Sequence, residues 1–194
     1  MRFIADNPDV PVVQMDSVIG NKSGKVLLTM FSQNTNLLLA FLRDHNTARS
    51  VLDVFNDLYA MFGRETYCRL FPVILTDRGS EFSNPVPIEQ DENDELRSLV
   101  FYCNPSAPYQ KGGIEVAHEL VRRVLPKGKS FDDLQQEDID LMLSHINSYK
   151  RGKLNSRSAY QLFNFIYGDD ILPKLNIREI EANDIVLSPK LLKK

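Results

Sequence analysis

The sequence predicts an α/β fold: a mixed five-stranded sheet, its first three strands antiparallel, flanked by helices. Three observations predict it. Three apolar, partly β-branched runs separated by turn residues fill the chain up to Leu42. An apolar stripe at helical spacing then leads into a short, wholly apolar run, the pattern of a crossover into a central parallel strand. Helical periodicity dominates the second half of the chain.

Pro11 to Ile19 reads as the first strand, with Asp16 inside an otherwise apolar and β-branched run. Gly20-Asn21-Lys22-Ser23-Gly24 is turn material. Lys25 to Phe31 and Leu37 to Leu42 complete a meander through Gln33-Asn34-Thr35-Asn36. Asn46 or Thr47 can cap the next helix, whose inward face is Val51, Val54, Phe55, Leu58, Met61 and Phe62 and which Gly63 ends. Phe71 to Thr76 is a buried strand stopping at Asp77. Ser80 to Arg97 is polar, acidic and contains two prolines, so it reads as a long surface loop before a short strand, Leu99 to Tyr102. Asn104 to Gly113 reads as a mobile loop. Helices follow at about 113–125, at about 134–150 with Ile139, Met142, Leu143, Ile146 and Tyr149 inward, and at Ala159 to Tyr167. The tail from Gly168 mixes turns and short apolar pieces. Strands first, then a crossover, then helices is the element order of the ribonuclease H-like fold.

The 194 residues are enough for one domain with a substantial core. The 43% apolar and 25% charged residues are an ordinary globular balance. No apolar run approaches the roughly 18 residues a membrane span needs, and Met1 to Val10 lacks the blocks of a signal peptide. Cys68 and Cys103 match neither a zinc spacing nor a disulfide framework, so both read as buried or neutral thiols in a reducing compartment. The net charge of −3 argues mildly against a dedicated nucleic-acid-binding module, which usually carries a basic surplus. It leaves open a DNA enzyme whose acids surround metal ions.

Three acids stand out by position. Asp16 lies within an apolar strand, Asp77 at the carboxyl end of another, and Glu115 in the first turn of a helix entered by a Gly-Gly pair. A carboxylate in a sheet interior is costly unless a cation or hydrogen bonds compensate it, and converging carboxylates repel unless a cation stands between them. Magnesium suits such a set, because it takes hard oxygen ligands and keeps sites for substrate phosphates. Each acid also has a plain reading: a structural acid at a strand edge, a turn aspartate, and a glutamate favoured by the helix dipole. The catalytic reading rests on all three together.

At these residues the chain resembles the insertion-sequence thirty family of bacterial transposases, within the retroviral integrase-like DDE superfamily. The matching stretches are Gln14 to Gly20, Leu75 to Phe82 and, most specifically, Pro108-Tyr109-Gln110-Lys111-Gly112-Gly113-Ile114-Glu115. The last continues through His118-Glu119-Leu120-Val121-Arg122-Arg123 to Leu125-Pro126-Lys127-Gly128. Ala159 to Phe163 and Ser188 to Leu192 add weaker support. Arg78, Asn104, Tyr109, Ala117 and Tyr160 depart from the family pattern, and none of them is a triad acid.

The resemblance implies that Asp16, Asp77 and Glu115 hold catalytic Mg²⁺ or Mn²⁺, two ions per site with substrate. It implies cleavage of transposon ends and joining of a 3′ hydroxyl to target DNA, by a homo-oligomer, expected to be a dimer, in the bacterial cytoplasm at the nucleoid. No membrane and no small-molecule substrate are expected. Residues 1–168 are expected to form the integrase-like catalytic core and 169–194 a C-terminal extension. The family's N-terminal helix-turn-helix region is expected to be absent, leaving a core without end specificity. Lys111, Arg122, Arg123, Lys127, Lys129, Lys150 and Arg151 are the candidate DNA contacts, against the plain reading of a solvated charged face. On the last long motif, Glu115, His118, Glu119 and Arg122 share one helix face. Two other functions are carried forward. One is an inactive or domesticated core acting as an interaction or oligomerisation module; the other is a simple nuclease of the same fold.

Overall fold

A computed structural model describes residues 2–21, 24–104 and 108–192. Lys22 and Ser23 of the expected first turn, residues 105–107 of the expected loop, Met1 and the closing Lys193-Lys194 lie outside the described residues.

The meander forms as its patterning requires. Strands β1 (Val12–Ile19), β2 (Val26–Ser32) and β3 (Leu38–Arg43) pair antiparallel in sequence order. Strand β4 (Val73–Thr76) then pairs parallel to β1, and β5 (Leu99–Tyr102) parallel to β4, giving the order β3-β2-β1-β4-β5. This is the mixed five-stranded sheet that the sequence predicts. Register decides what shares a face. Asp16 pairs with Thr29, and Gln14 pairs with Phe31 on one side and Leu75 on the other. Continuing the β1–β4 register by two residues sets Asp16 level with Asp77.

Helix α2 (Ala48–Leu70) supplies the crossover. Thr47 and Ser50 form a reciprocal capping box at its start. Gly63 takes φ 71° and ψ 165°, which breaks the helix there, but a second helical piece runs on to Leu70 and buries Tyr67 and Leu70. Gly63 is therefore a kink rather than an end. Val51, Phe55, Leu58 and Phe62 are buried, whereas Met61 is exposed and Val54 only partly covered. Those two lie on the margin of the stripe, about 70–90° from its centre at the α-helical 100° per residue.

Two further departures concern shorter pieces. The segment read as loop contains a 3₁₀ turn at Ser80–Phe82 and a short helix, α3 (Val86–Glu89), which buries Phe82 and Ile88. A five-residue helix precedes the sheet at Arg2–Asp6 (taken as α1), and its Phe3 stacks on Phe101 with centroids 5.4 Å apart.

Helix α4 (Gly112–Val124) buries Ile114, Ala117, Leu120, Val121 and Val124, the face opposite the polar one. Helix α5 (Gln136–Ser148) lies along the free edge of β3. Its Gln136 and Asn147 amides bond the backbone of Leu42, Ala40 and Leu38 at 2.8–3.1 Å. An edge strand's unpaired groups are thus satisfied by side chains. Tyr149 was expected inward, but it is the residue after the helix, with extended φ/ψ, and its ring is exposed. Helices α6 (Ala159–Tyr167) and α7 (Ile171–Lys174) close the core. The chain beyond them straps across α5: Ser144, Ser148 and His145 Nδ1 accept the backbone N–H of Arg178, Ile180 and Val186 at 2.9–3.1 Å.

Candidate active site

Asp16 is held on β1 and Asp77 just past the end of β4. One oxygen of each carboxylate is fixed by its own backbone. Asp16 Oδ1 accepts the N–H of Ser17 at 2.8 Å, and Asp77 Oδ1 that of Gly79 at 3.0 Å. The other two oxygens converge on a single cation, the Lys111 ammonium. Its Nζ is 3.1 Å from Asp16 Oδ2 and 2.9 Å from Asp77 Oδ2, and it reaches the Met15 carbonyl at 3.4 Å. The Lys111 side chain is only 9% exposed. Burial pulls its ammonium down, but the two carboxylates outweigh burial and leave it above the ordinary lysine value.

Glu115 sits where the sequence places it, in the first turn of α4, but its side chain faces solvent. Among the described residues, no three His, Cys, Asp or Glu side chains come close enough together to hold a metal ion. The fold thus unites Asp16 with Asp77 and leaves Glu115 one helical turn past Lys111.

Two residues that sequence reasoning gave no role fix α4 against β1. Gln14, 2% exposed, accepts the Ile114 N–H at 2.7 Å and donates to the Gln110 carbonyl at 3.1 Å. Gly113 packs so tightly that a Cβ there would stand 2.5 Å from the Phe31 ring. His118 is the third link. Its Nε2 is 2.8 Å from Thr29 Oγ1, and that hydroxyl donates its one proton to the Asp16 carbonyl at 2.9 Å. His118 must therefore donate from Nε2, which leaves Nδ1 with its lone pair. Burial holds His118 below the ordinary imidazole value, Asp16 opposes that, and Lys111 and Arg122 reinforce it.

A polar network borders the pair. Arg43, 4% exposed, donates to Ser17 Oγ at 3.1 Å, Asn46 Oδ1 at 2.9 Å and Ser50 Oγ at 2.9 Å. Burial lowers its guanidinium to about 10, against the pull of Glu81. Asn46 in turn donates to Glu81 at 2.9 Å. Of this network, sequence reasoning singled out Asn46, and only as a possible helix cap.

The expected DNA contacts divide. Arg123, Lys127, Lys129 and Lys150 are exposed. Lys111 is turned inward. Arg122 donates to the Ile19 carbonyl at 2.9 Å, which ties α4 to the end of β1. Arg151 is partly buried, with Nε and Nη2 unpartnered among the described residues, and burial lowers its value. Cys103 stands near the site as a free thiol raised by burial.

No family model matches the chain. Among curated proteins, it is 28% identical over 151 residues to a putative integrase of Spiroplasma virus SpV1-R8A2 B, covering 78% of this chain and 45% of that protein. It is 23% identical over 151 residues to the transposase of insertion sequence element IS4351 from Bacteroides fragilis, covering 78% and 44%. It is 22% identical over 147 residues to transposase InsI of IS30A from Escherichia coli K12, covering 76% and 36%. The chain is similar to transposases and integrases. It spans less than half the length of these relatives. Among solved structures, the catalytic core domain of BIV integrase matches with a TM-score of 0.52 at 21% identity, over 80% of this chain and 92% of that one. A chain of a simian T-cell lymphotropic virus intasome matches with a TM-score of 0.57 at 17% identity, over 88% and 58%. The fold is that of an integrase catalytic core, ribonuclease H-like, as the strand order predicts.

Proposed function

We propose that this chain is the catalytic core of a DNA transposase, a polynucleotidyl transferase whose working acids are Asp16, Asp77 and Glu115. The observation that carries the reading is the convergence of Asp16 Oδ2 and Asp77 Oδ2 on one cation, at the level where two parallel strands lie side by side. A lysine ammonium is the stand-in. The same pair of hard oxygens fits Mg²⁺ or Mn²⁺. Bound there, divalent cations would supply the charge that activates an attacking hydroxyl and stabilises a leaving oxygen.

The protein's own residues do the rest. Ser17 N–H and Gly79 N–H fix the rotamers of the two aspartates. Gln14 and Gly113 hold the start of α4, the turn that carries Glu115, against the sheet. Water and a DNA 3′ hydroxyl would attack in turn, without a covalent enzyme intermediate. The exposed cations Arg123, Lys127, Lys129 and Lys150 would take DNA phosphates. We read residues 169–194 as an extension to a core of residues 1–168, and the working unit as a dimer on bacterial DNA in the cytoplasm. No helix among the described residues is long and apolar enough to cross a membrane.

One observation favours a second reading. Glu115 faces solvent, as it would in a non-catalytic core retained for interaction. A strand-joining assay separates the two. The protein, fused to a DNA-binding domain for end recognition, is incubated with labelled pre-cut ends and plasmid in Mg²⁺ or Mn²⁺. The catalytic reading expects joined product, reduced about 10²-fold or more in Asp16→Asn, Asp77→Asn and Glu115→Gln, as for removal of a group that stabilises transition-state charge. Joining absent from the parent protein, or unchanged in the three variants, contradicts it. Hydrolysis without joining identifies a nuclease.

A further inference from the structure

The Asp16–Asp77 pair already holds a cation, and that cation belongs to the chain. Each carboxylate is clamped through Oδ1 by a backbone N–H and turns Oδ2 toward the same Lys111 ammonium. Two carboxylates brought level on neighbouring strands repel one another unless a positive charge lies between them. Here the charge is built in, and it is tucked under the protein: the lysine side chain is 9% exposed, and its third contact is the Met15 carbonyl. The ammonium therefore balances the charge of the two carboxylates.

The same geometry makes Lys111 an obstacle. A divalent ion taking both Oδ2 atoms would compete with the ammonium for the same lone pairs and stand beside a like charge. Lys111 also opens the helical turn that carries Glu115, the acid now facing solvent. The stand-in cation and the third acid thus sit on one short segment, four residues apart.

We propose that Lys111 is an intramolecular competitor of divalent metal: its ammonium occupies the Asp16–Asp77 pair in metal-free protein and must leave for an ion to bind. This rests on the reading of Asp16 and Asp77 as metal ligands. Lys111 then sets the metal concentration at which the site loads. The lysine is a positioning residue for the two aspartates and takes no part in the reaction while it is paired.

The test uses the full chain without DNA and Mn²⁺ alone as probe, with free Mn²⁺ followed by electron paramagnetic resonance. Lys111→Met is expected to bind Mn²⁺ about tenfold more tightly than the parent, equivalent to about 1.4 kcal/mol. In EDTA the variant is expected to melt lower than the parent, and Mn²⁺ is expected to close that gap. Equal or weaker Mn²⁺ binding by Lys111→Met overturns the competitor role. Binding by neither protein removes the metal site itself, and the inference falls with it. Binding by the parent that survives in Asp16→Asn and Asp77→Asn shows an ion held elsewhere, and overturns both. A second measurement needs no variant: acylation of Lys111 by an amine-reactive reagent, read by peptide mass spectrometry. Lys111 is expected to be protected in EDTA and labelled in saturating Mn²⁺. Equal labelling in both conditions overturns the proposal even where Lys111→Met fails to fold.

Discussion

Gln14 shows how a single buried amide can position a site. Its carbonyl takes the Ile114 N–H and its NH₂ gives to the Gln110 carbonyl, so both ends of the side chain join β1 to the segment carrying Lys111 and Glu115. Gln14→Ala would leave those two backbone groups without this partner, at a residue only 2% exposed. A buried group left without a partner costs about 1–3 kcal/mol. Urea unfolding is expected to show a loss of that size, and an unchanged midpoint would show that the clip does not matter. Asp16 was legible from the sequence because an acid inside an apolar strand demands compensation. Gln14 was not, because its partner lies 100 residues away and nothing local signals the pairing. The pairing of Lys111 was not legible for a related reason. A lysine in a glycine-containing loop reads as solvent-facing, and only the folded register brings two carboxylates to it.

At the scale of elements, α5 is the part that binds the rest together. Gln136 and Asn147 satisfy the free edge of β3, while Ser144, His145 and Ser148 accept backbone N–H groups from the closing strap. His145 makes that strap sensitive to acid. Burial holds it below its ordinary 6.5, Arg178 reinforces this and Asp184 opposes it. The folded protein therefore binds the proton less readily than the unfolded chain. The stabilisation is complete above 6.5 and is lost as pH falls through that value toward the folded-state one. Protonation also removes the Nδ1 lone pair that accepts the Val186 N–H. Melting temperature is expected to hold steady above neutrality and to fall as pH drops below 6.5. In His145→Gln the slope should shrink, the remainder belonging to His118, which is lowered in the same direction. An unchanged slope would sink this account of the strap. The strands and long helices were readable because their apolar periods are long and unbroken. The α3 turn was not, because four residues among prolines carry no period, and the second piece of α2 was hidden by the glycine that kinks it.

For the whole molecule, topology explains why two distant acids meet. A meander followed by a helical crossover brings β4 alongside β1, and the shared register sets Asp16 level with Asp77. That much of the site follows from the element order read in the sequence. The position of Glu115 does not, because it depends on which way the first turn of α4 faces once Lys111 has taken the pair. The relatives in sequence are transposases and integrases, and the fold is shared with integrase cores. The central claim is that these acids form a divalent-metal site, and a crystal of the protein grown in Mn²⁺ tests it most directly. The anomalous difference map is predicted to show a peak between Asp16 and Asp77, with Lys111 withdrawn and Glu115 turned inward. A map without that peak, with Lys111 still bridging the two aspartates at saturating Mn²⁺, would contradict the account.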